Sequence, residues 1–174
     1  FLYEKGHRTV AFLRNNESDY DRRSGYVILF RESLLAHAKE LGMTVIESEH
    51  YEADSFYAQH FVSTVFAHPD RPTAIINQAN ASVLSQVLMA LHDAGMSIPQ
   101  DVSVLSCGTY FEGEPTRFPI TEMPVMPEEL CAEAMNLLVS AIEEHTDIKG
   151  SVELIEPALK RRGSVAEAGS GGTQ

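Results

Sequence analysis

Apolar and polar positions alternate between two rhythms along the chain. Short apolar runs, too brief for helices and bounded by turn residues, recur at residues 9–13, 44–47, 73–77 and 102–105. Runs of that kind read as strands covered on both faces. Between them the period lengthens to that of a helix. Residues 22–41 read as one helix stopped by Gly42, with Tyr26, Leu29, Phe30, Leu34, Ala38 and Leu41 as its buried stripe. Asp54 or Ser55 can cap a second helix running to about His68, with Phe56, Phe61, Val65 and Phe66 available for packing and Pro69 as its stop. Asn80 precedes a third, whose Val83, Leu84, Val87, Leu88 and Leu91 form one continuous stripe. Gly95 then supplies a left-handed stop, and Pro99 and Asp101 turn the chain into the next strand. Pro127, Glu128 and Glu129 open a last helix, whose stripe is Leu130, Ala134, Leu137, Leu138, Ala141 and Ile142. A short extended segment at 119–125 and a final strand at 152–155 complete the pattern, with polar loops at 15–21 and 108–118.

Strands that alternate with helices predict an α/β fold with a mainly parallel sheet. In such sheets ligands sit outside the carboxyl ends of the strands. That rule places Asn80 and the Ser106, Cys107, Gly108 segment at the ligand side.

Composition narrows the function. A chain of 174 residues forms one domain with a real core, or slightly less than two small lobes. Its 25 acidic and 13 basic residues give a net charge of −12, and no Lys/Arg block gathers enough charge to neutralise several phosphates. This stretch should therefore not bind DNA itself. Cys107 and Cys131 match neither a disulfide framework nor a metal-binding pair, which points to reduced thiols in a cytoplasm. No apolar run approaches the ~20 residues of a membrane span, and no cleavable leader is visible. His37, His50, His60, His68, His92 and His145 lack metal-ligand spacing, and nothing resembles a phosphate-cradling glycine loop. Cys107 has no His or Asp in a nucleophile arrangement and reads as a small apolar residue. No metal, no cofactor and no enzymatic constellation are expected.

Two polar residues stand out. By position, Arg22 beside Arg23 reads as a solvated pair offset by Asp19 and Asp21, because a helix start disfavours cations. Asn80 reads as a helix N-cap. A set of short motifs adds a second reading to both: GHRTVAFL at 6–13, DRRSGY at 21–26, PTAII at 72–76, Asn80 with Ala81, ALHDAG at 90–95, IPQDVSVL at 98–105, FPITEM at 118–123 and EPALKRRGS at 156–164. In order and spacing these resemble the effector-binding domain of lac-repressor-like (LacI/GalR) transcriptional regulators over nearly the whole chain.

That resemblance implies a three-layer parallel-sheet sandwich of the periplasmic-binding-protein-like type. Residues 1–118 would form the C-terminal subdomain, 119–148 a segment of the N-terminal subdomain, 149–165 a return strand and 166–174 a disordered tail. The DNA-binding headpiece and the first part of the N-terminal subdomain would be missing, so the chain is expected to be a truncated piece. The helix over 127–144 would then lose its usual cover, and is expected to pack back onto this lobe or to build a dimer.

The resemblance also implies an effector site at Arg22, Asn80, Asp19, Gly108 and Tyr110. Arg22 would offer a planar fork of donors to ligand oxygens, and the Asn80 carboxamide both a donor and an acceptor to a sugar hydroxyl. His7, in the opening strand motif, would be structural. The implied partners are a sugar-like effector bound between subdomains, a second copy of the chain in a homodimer, and DNA only through the missing headpiece. A solute-binding protein serving a transporter is the alternative. The chain departs from the family where Ala81 and Gly108 replace aspartates, the second of which commonly binds the effector. Either the ligand is less polyhydroxylated than a typical sugar, or Thr109, Tyr110 and a neighbouring loop take over, or effector response is lost.

Overall fold

A computed structural model describes residues 1–48, 56–108, 118–125, 127–147, 149–150, 152–153 and 155–169. In chain order its elements are β1 (Thr9–Leu13), α1 (Glu17–Asp21), α2 (Gly25–Glu40), β2 (Thr44–Glu47), α3 (Tyr57–Phe66), β3 (Ala74–Asn77), α4 (Ala81–Asp93), β4 (Ser103–Ser106), β5 (Thr121–Glu122) and α5 (Pro127–Glu144). The strands form one sheet in the order β2-β1-β3-β4-β5, and every pair in it is parallel. The expected α/β class is what forms.

Because the side-chain period of a strand is two, each central strand feeds two cores. Ala11 and Leu13 of β1, Ile75 of β3 and Val104 of β4 face one side, where α3 and α4 cover them with Phe61, Val62, Val65, Leu84, Val87, Leu88 and Leu91. Val10, Phe12, Ala74, Ile76 and Leu105 face the other, where Phe30 and Leu34 of α2 close over them. Helices therefore cover both faces, giving three layers. The order reverses between β1 and β3, which opens a crevice at their carboxyl ends. The register fixes the floor of that crevice, since Leu13 pairs with Asn77 and Asn77 with Ser106.

Four expectations need correction. The helix predicted over 22–41 starts late, at Gly25, and the polar loop predicted over 15–21 contains the short helix α1, with Arg23 between the two at φ 54°. The buried stripe shifts accordingly to Val27, Phe30, Leu34 and Ala38, while Tyr26, Leu29 and Leu41 are exposed. The final strand expected at 152–155 is absent from its described residues. The returning chain instead pairs later, antiparallel at Lys160 against Glu122, where β5 leaves an open edge. From there the expected tail is fastened as far as 168: Val104 N–H donates to Ser164 O at 2.8 Å and Ala168 N–H to Lys5 O at 2.8 Å. Ser164 Oγ, buried, accepts from Thr121 N–H at 2.7 Å and donates to Val104 O at 2.6 Å. Those bonds satisfy backbone groups that an incomplete β5 would strand.

The fourth correction concerns α5. Of the two outcomes expected for it, packing back onto the lobe is not what its stripe shows, which leaves the dimer: Ala141 is its buried residue, while Leu130, Leu138 and Ile142 of its stripe are exposed. The caps proposed at Asp54 and Ser55 lie outside the described residues, and Phe56, expected to pack, is exposed. Among the described residues no helix is long and apolar enough to cross a membrane.

Candidate functional site

Two turns flank the crevice, one after β1 and one after β3. After β1, Asn16 caps α1, its Oδ1 accepting from Asp19 N–H at 3.0 Å and from Ser18 Oγ at 2.6 Å. Arg22 is the C-cap of α1, not the start of a helix, and its N–H donates to Ser18 O at 3.0 Å. A cation at a helix C-terminus faces the favourable end of the dipole, so the objection to Arg22 falls away. Its side chain is exposed, and Asp19 beside it is half-buried.

After β3 the chain runs Asn77, Gln78, Ala79, Asn80 into α4. Asn80 is exposed, and its Oδ1 accepts from Val83 N–H at 3.1 Å. The expected cap is real, and it engages one lone pair of the amide oxygen; the second lone pair and the Nδ2 hydrogens are what the side chain has left to offer.

The two turns are tied together. Tyr20 Oη donates to Gln78 Oε1 at 3.4 Å, and Gln78 Nε2 donates to Val27 O at 3.3 Å. The Arg14 guanidinium lies 4.5 Å from the Tyr20 ring centroid, and 3.5 Å and 3.8 Å from Glu17 and Glu47. Arg31 clasps Glu47 with two bonds of 2.6 and 2.8 Å, and this hydrogen bonding raises its pKa further. Arg22 and Asn80 thus stand two residues beyond Tyr20 and Gln78, a side-chain pair in contact across the β1/β3 switch point. Gln78 and Tyr20 were not singled out from sequence. A polar residue directly after a buried strand was the available signal for Gln78; Tyr20, in a polar loop, had none.

The wall after β4 is closed differently. Tyr26 Oη donates to Cys107 O at 2.7 Å. Asn77 Nδ2 donates to Ala79 O at 3.0 Å and to Ser106 Oγ at 2.9 Å, while its buried Oδ1 has no partner. Gly108 presses on the β3–α4 turn: a Cβ there would lie 2.3 Å from Ala79 O and 2.4 Å from Gln78 O. No side chain fits without moving backbone. The absent aspartate is therefore a packing requirement, and Gly108 can meet a ligand only through its backbone. Burial pushes the Cys107 thiol up to about 12, which leaves it protonated and inert. Thr109 and Tyr110, the suggested substitutes, lie outside the described residues.

Other hollows lie elsewhere. One of 310 Å³ sits at the amino ends of the strands, lined by His7, Thr73, Ser103, Arg71, Asp101 and Glu167 among others. Its polar groups are already committed. His7 meets Thr73 Oγ1 at 2.8 Å and Ala166 O at 3.1 Å, Lys5 pairs with Glu167 at 2.7 Å, and Asp101 accepts from Ser97 N–H at 2.8 Å. Burial lowers the His7 pKa. His7 is structural in this setting. Another hollow of 450 Å³ lies along the end of α4, beside His92, Met96 and Phe118. Geometry and fold, rather than volume, place the candidate site at the β1/β3 crevice.

The model of one protein family, described as a periplasmic binding protein-like domain, matches residues 1–165. Among curated proteins, the chain is 25% identical over 173 residues to the HTH-type transcriptional repressor PurR of Salmonella arizonae, covering 96% of this chain and 48% of that protein. The chain thus spans about half the length of the curated relative it matches. Among solved structures, a LacI family transcriptional regulator from Bifidobacterium animalis subsp. lactis aligns with a TM-score of 0.70 at 24% identity, over 96% of this chain and 58% of that one. One from Corynebacterium glutamicum aligns with a TM-score of 0.69 at 20% identity, over 95% and 62%. A third, from an Arthrobacter species in complex with lactose, reaches 0.66 at 19% identity, over 94% and 59%. At such identities the structural likeness speaks for the fold.

Proposed function

The chain belongs to the periplasmic binding protein-like family, as an effector-binding domain of the LacI type, and from that premise we propose that it senses a small metabolite at the β1/β3 crevice. Arg22 gives the ligand a guanidinium fork, Asn80 gives it the Nδ2 hydrogens, and Asp19 gives it a carboxylate. The backbone at Gly108 completes the wall; Tyr110, also expected at the site, lies outside the described residues. The observation that carries this reading is the Tyr20–Gln78 hydrogen bond, which holds the two turns bearing Arg22 and Asn80 against each other. Both side chains are exposed, as ligand contacts must be.

The effector binds between this lobe and a second one to which residues 119–148 contribute. The exposed apolar stripe of α5 supports that division, since such a stripe needs cover. Ligand preference for one lobe arrangement is what shifts an attached DNA-binding segment. On this reading the protein acts in the cytoplasm as a homodimer, without catalysis; the curated relative's name, a transcriptional repressor, supports the regulatory role.

Calorimetric titration with lactose, ribose and other small sugars and their acids tests the site. A ligand that binds the wild type should bind Arg22→Ala and Asn80→Ala at least about tenfold more weakly, the worth of one charge-assisted hydrogen bond. Undiminished binding by both variants would place the effector elsewhere.

A further inference from the structure

Eight arginines fall among the described residues, and six of them have a partner. Arg8 stacks on Tyr3 and Arg161 on Phe1. Arg14 and Arg31 meet Glu47, Arg162 meets Glu122, and Arg71 lies over Phe66. Arg22 and Arg23 are the remaining two. They are adjacent, exposed and without an ion pair, ring or carbonyl partner for either guanidinium among the described residues. In a chain with 25 acids against 13 bases, cations have ample choice of carboxylates. Two neighbouring like charges left unpaired at the rim of a crevice are a poor arrangement for folding alone. The turn that displays them is held against local preference, because Arg23 sits at φ 54°, where glycine is favoured.

The other walls agree. A neutral polyol needs acceptors as well as donors. One of the two lone pairs on the Asn80 amide oxygen is taken by Val83 N–H. The position after β4, where a carboxylate would accept hydroxyl bonds, can carry no side chain, because Ala79 O stands 2.3 Å from any Cβ at Gly108. Of the acids on α1, Glu17 lies 3.5 Å from Arg14, while Asp19 is half-buried and Asp21 exposed near the turn.

Building on the effector-binding reading above, we infer that the ligand carries an anionic group, a carboxylate or a phosphate, and that Arg23 grips it together with Arg22. Paired guanidinium forks suit the planar or tetrahedral oxygens of such groups, and the bonds are charge-assisted.

The test is isothermal titration of the intact chain with four probes: D-gluconate, D-glucose 6-phosphate, inorganic phosphate and D-glucose. At least one anion should bind saturably and more tightly than D-glucose, with affinity falling as salt is added. Arg22→Gln and Arg23→Gln should each weaken that anion at least about tenfold. Arg23→Gly should do the same while keeping or raising the melting temperature, because it relieves the left-handed backbone; that separates lost binding from lost folding. D-glucose bound as well as every anion would overturn the inference and leave the effector reading standing. Anion binding indifferent to both arginines would overturn it too. Silence from all four probes would end both.

Discussion

The imidazole of His7 is 1% exposed and bonded at both nitrogens. Burial, opposed by the bond to Ala166 O, holds its pKa below the ordinary 6.5. The native state therefore resists the proton that the unfolded chain accepts. Above pH 6.5 both states are neutral and the group contributes nothing to the pH dependence; as pH falls through 6.5 stability declines, levelling off below the native pKa. Calorimetric melting of wild type and His7→Gln across this window should show a decline in the wild type that the variant lacks. Gly108 makes an equally local claim. Gly108→Asp, which restores the acid common in this family, should cost about 3 kcal/mol by overpacking against Gln78 and Ala79. Chemical denaturation reads it directly, and a variant as stable as wild type would show that the turn can move aside. Arg22 and Asn80 were legible as candidates because their motifs are contiguous. The reason for Gly108 was not, because its neighbours Gln78 and Ala79 lie some thirty positions earlier.

Helices α1, α2 and α4 show how an element's ends decide what its residues can do. Asn80 caps α4 and is proposed to meet the ligand, so the cap and the proposed contact can be separated. Asn80→Ala should lose about 1 kcal/mol of stability with the cap, whereas Asn80→Asp keeps the cap oxygen and loses the Nδ2 donors. Thermal melts paired with ligand titration distinguish them: Asp should retain the wild-type melting temperature yet bind an acceptor-rich ligand poorly. The late start of α2 was hidden because residues 22–41 hold a helical apolar rhythm throughout, and α1 because its five residues bury nothing. Local periodicity cannot report that Ser24 N–H finds Asp19 O at 2.9 Å or that Gln78 reaches Val27 O. Helix α4, by contrast, was placed almost to the residue, because cap, stripe and glycine stop all agree within one stretch.

At the scale of the whole molecule, a net charge of −12 coexists with an α5 whose Leu138, Val139 and Ile142 are exposed. Isolated chains should associate through that helix as concentration rises, despite their mutual repulsion. Leu138→Lys with Ile142→Lys should abolish the association in light scattering while changing stability by no more than about 0.5 kcal/mol per site. Association unchanged by the pair would move the interface off α5. The chain's local patterns alone determined the parallel α/β class, the three central strands, α4 and the family, because short buried runs, caps and glycine stops are written in contiguous residues. Only the tertiary structure decided the late start of α2, the strap from Lys160 to Ala168 across the sheet, the exposure of α5 and the filled space at Gly108. Each of these depends on which distant backbone groups remain to be satisfied or covered once the sheet has formed, a quantity no window of sequence contains.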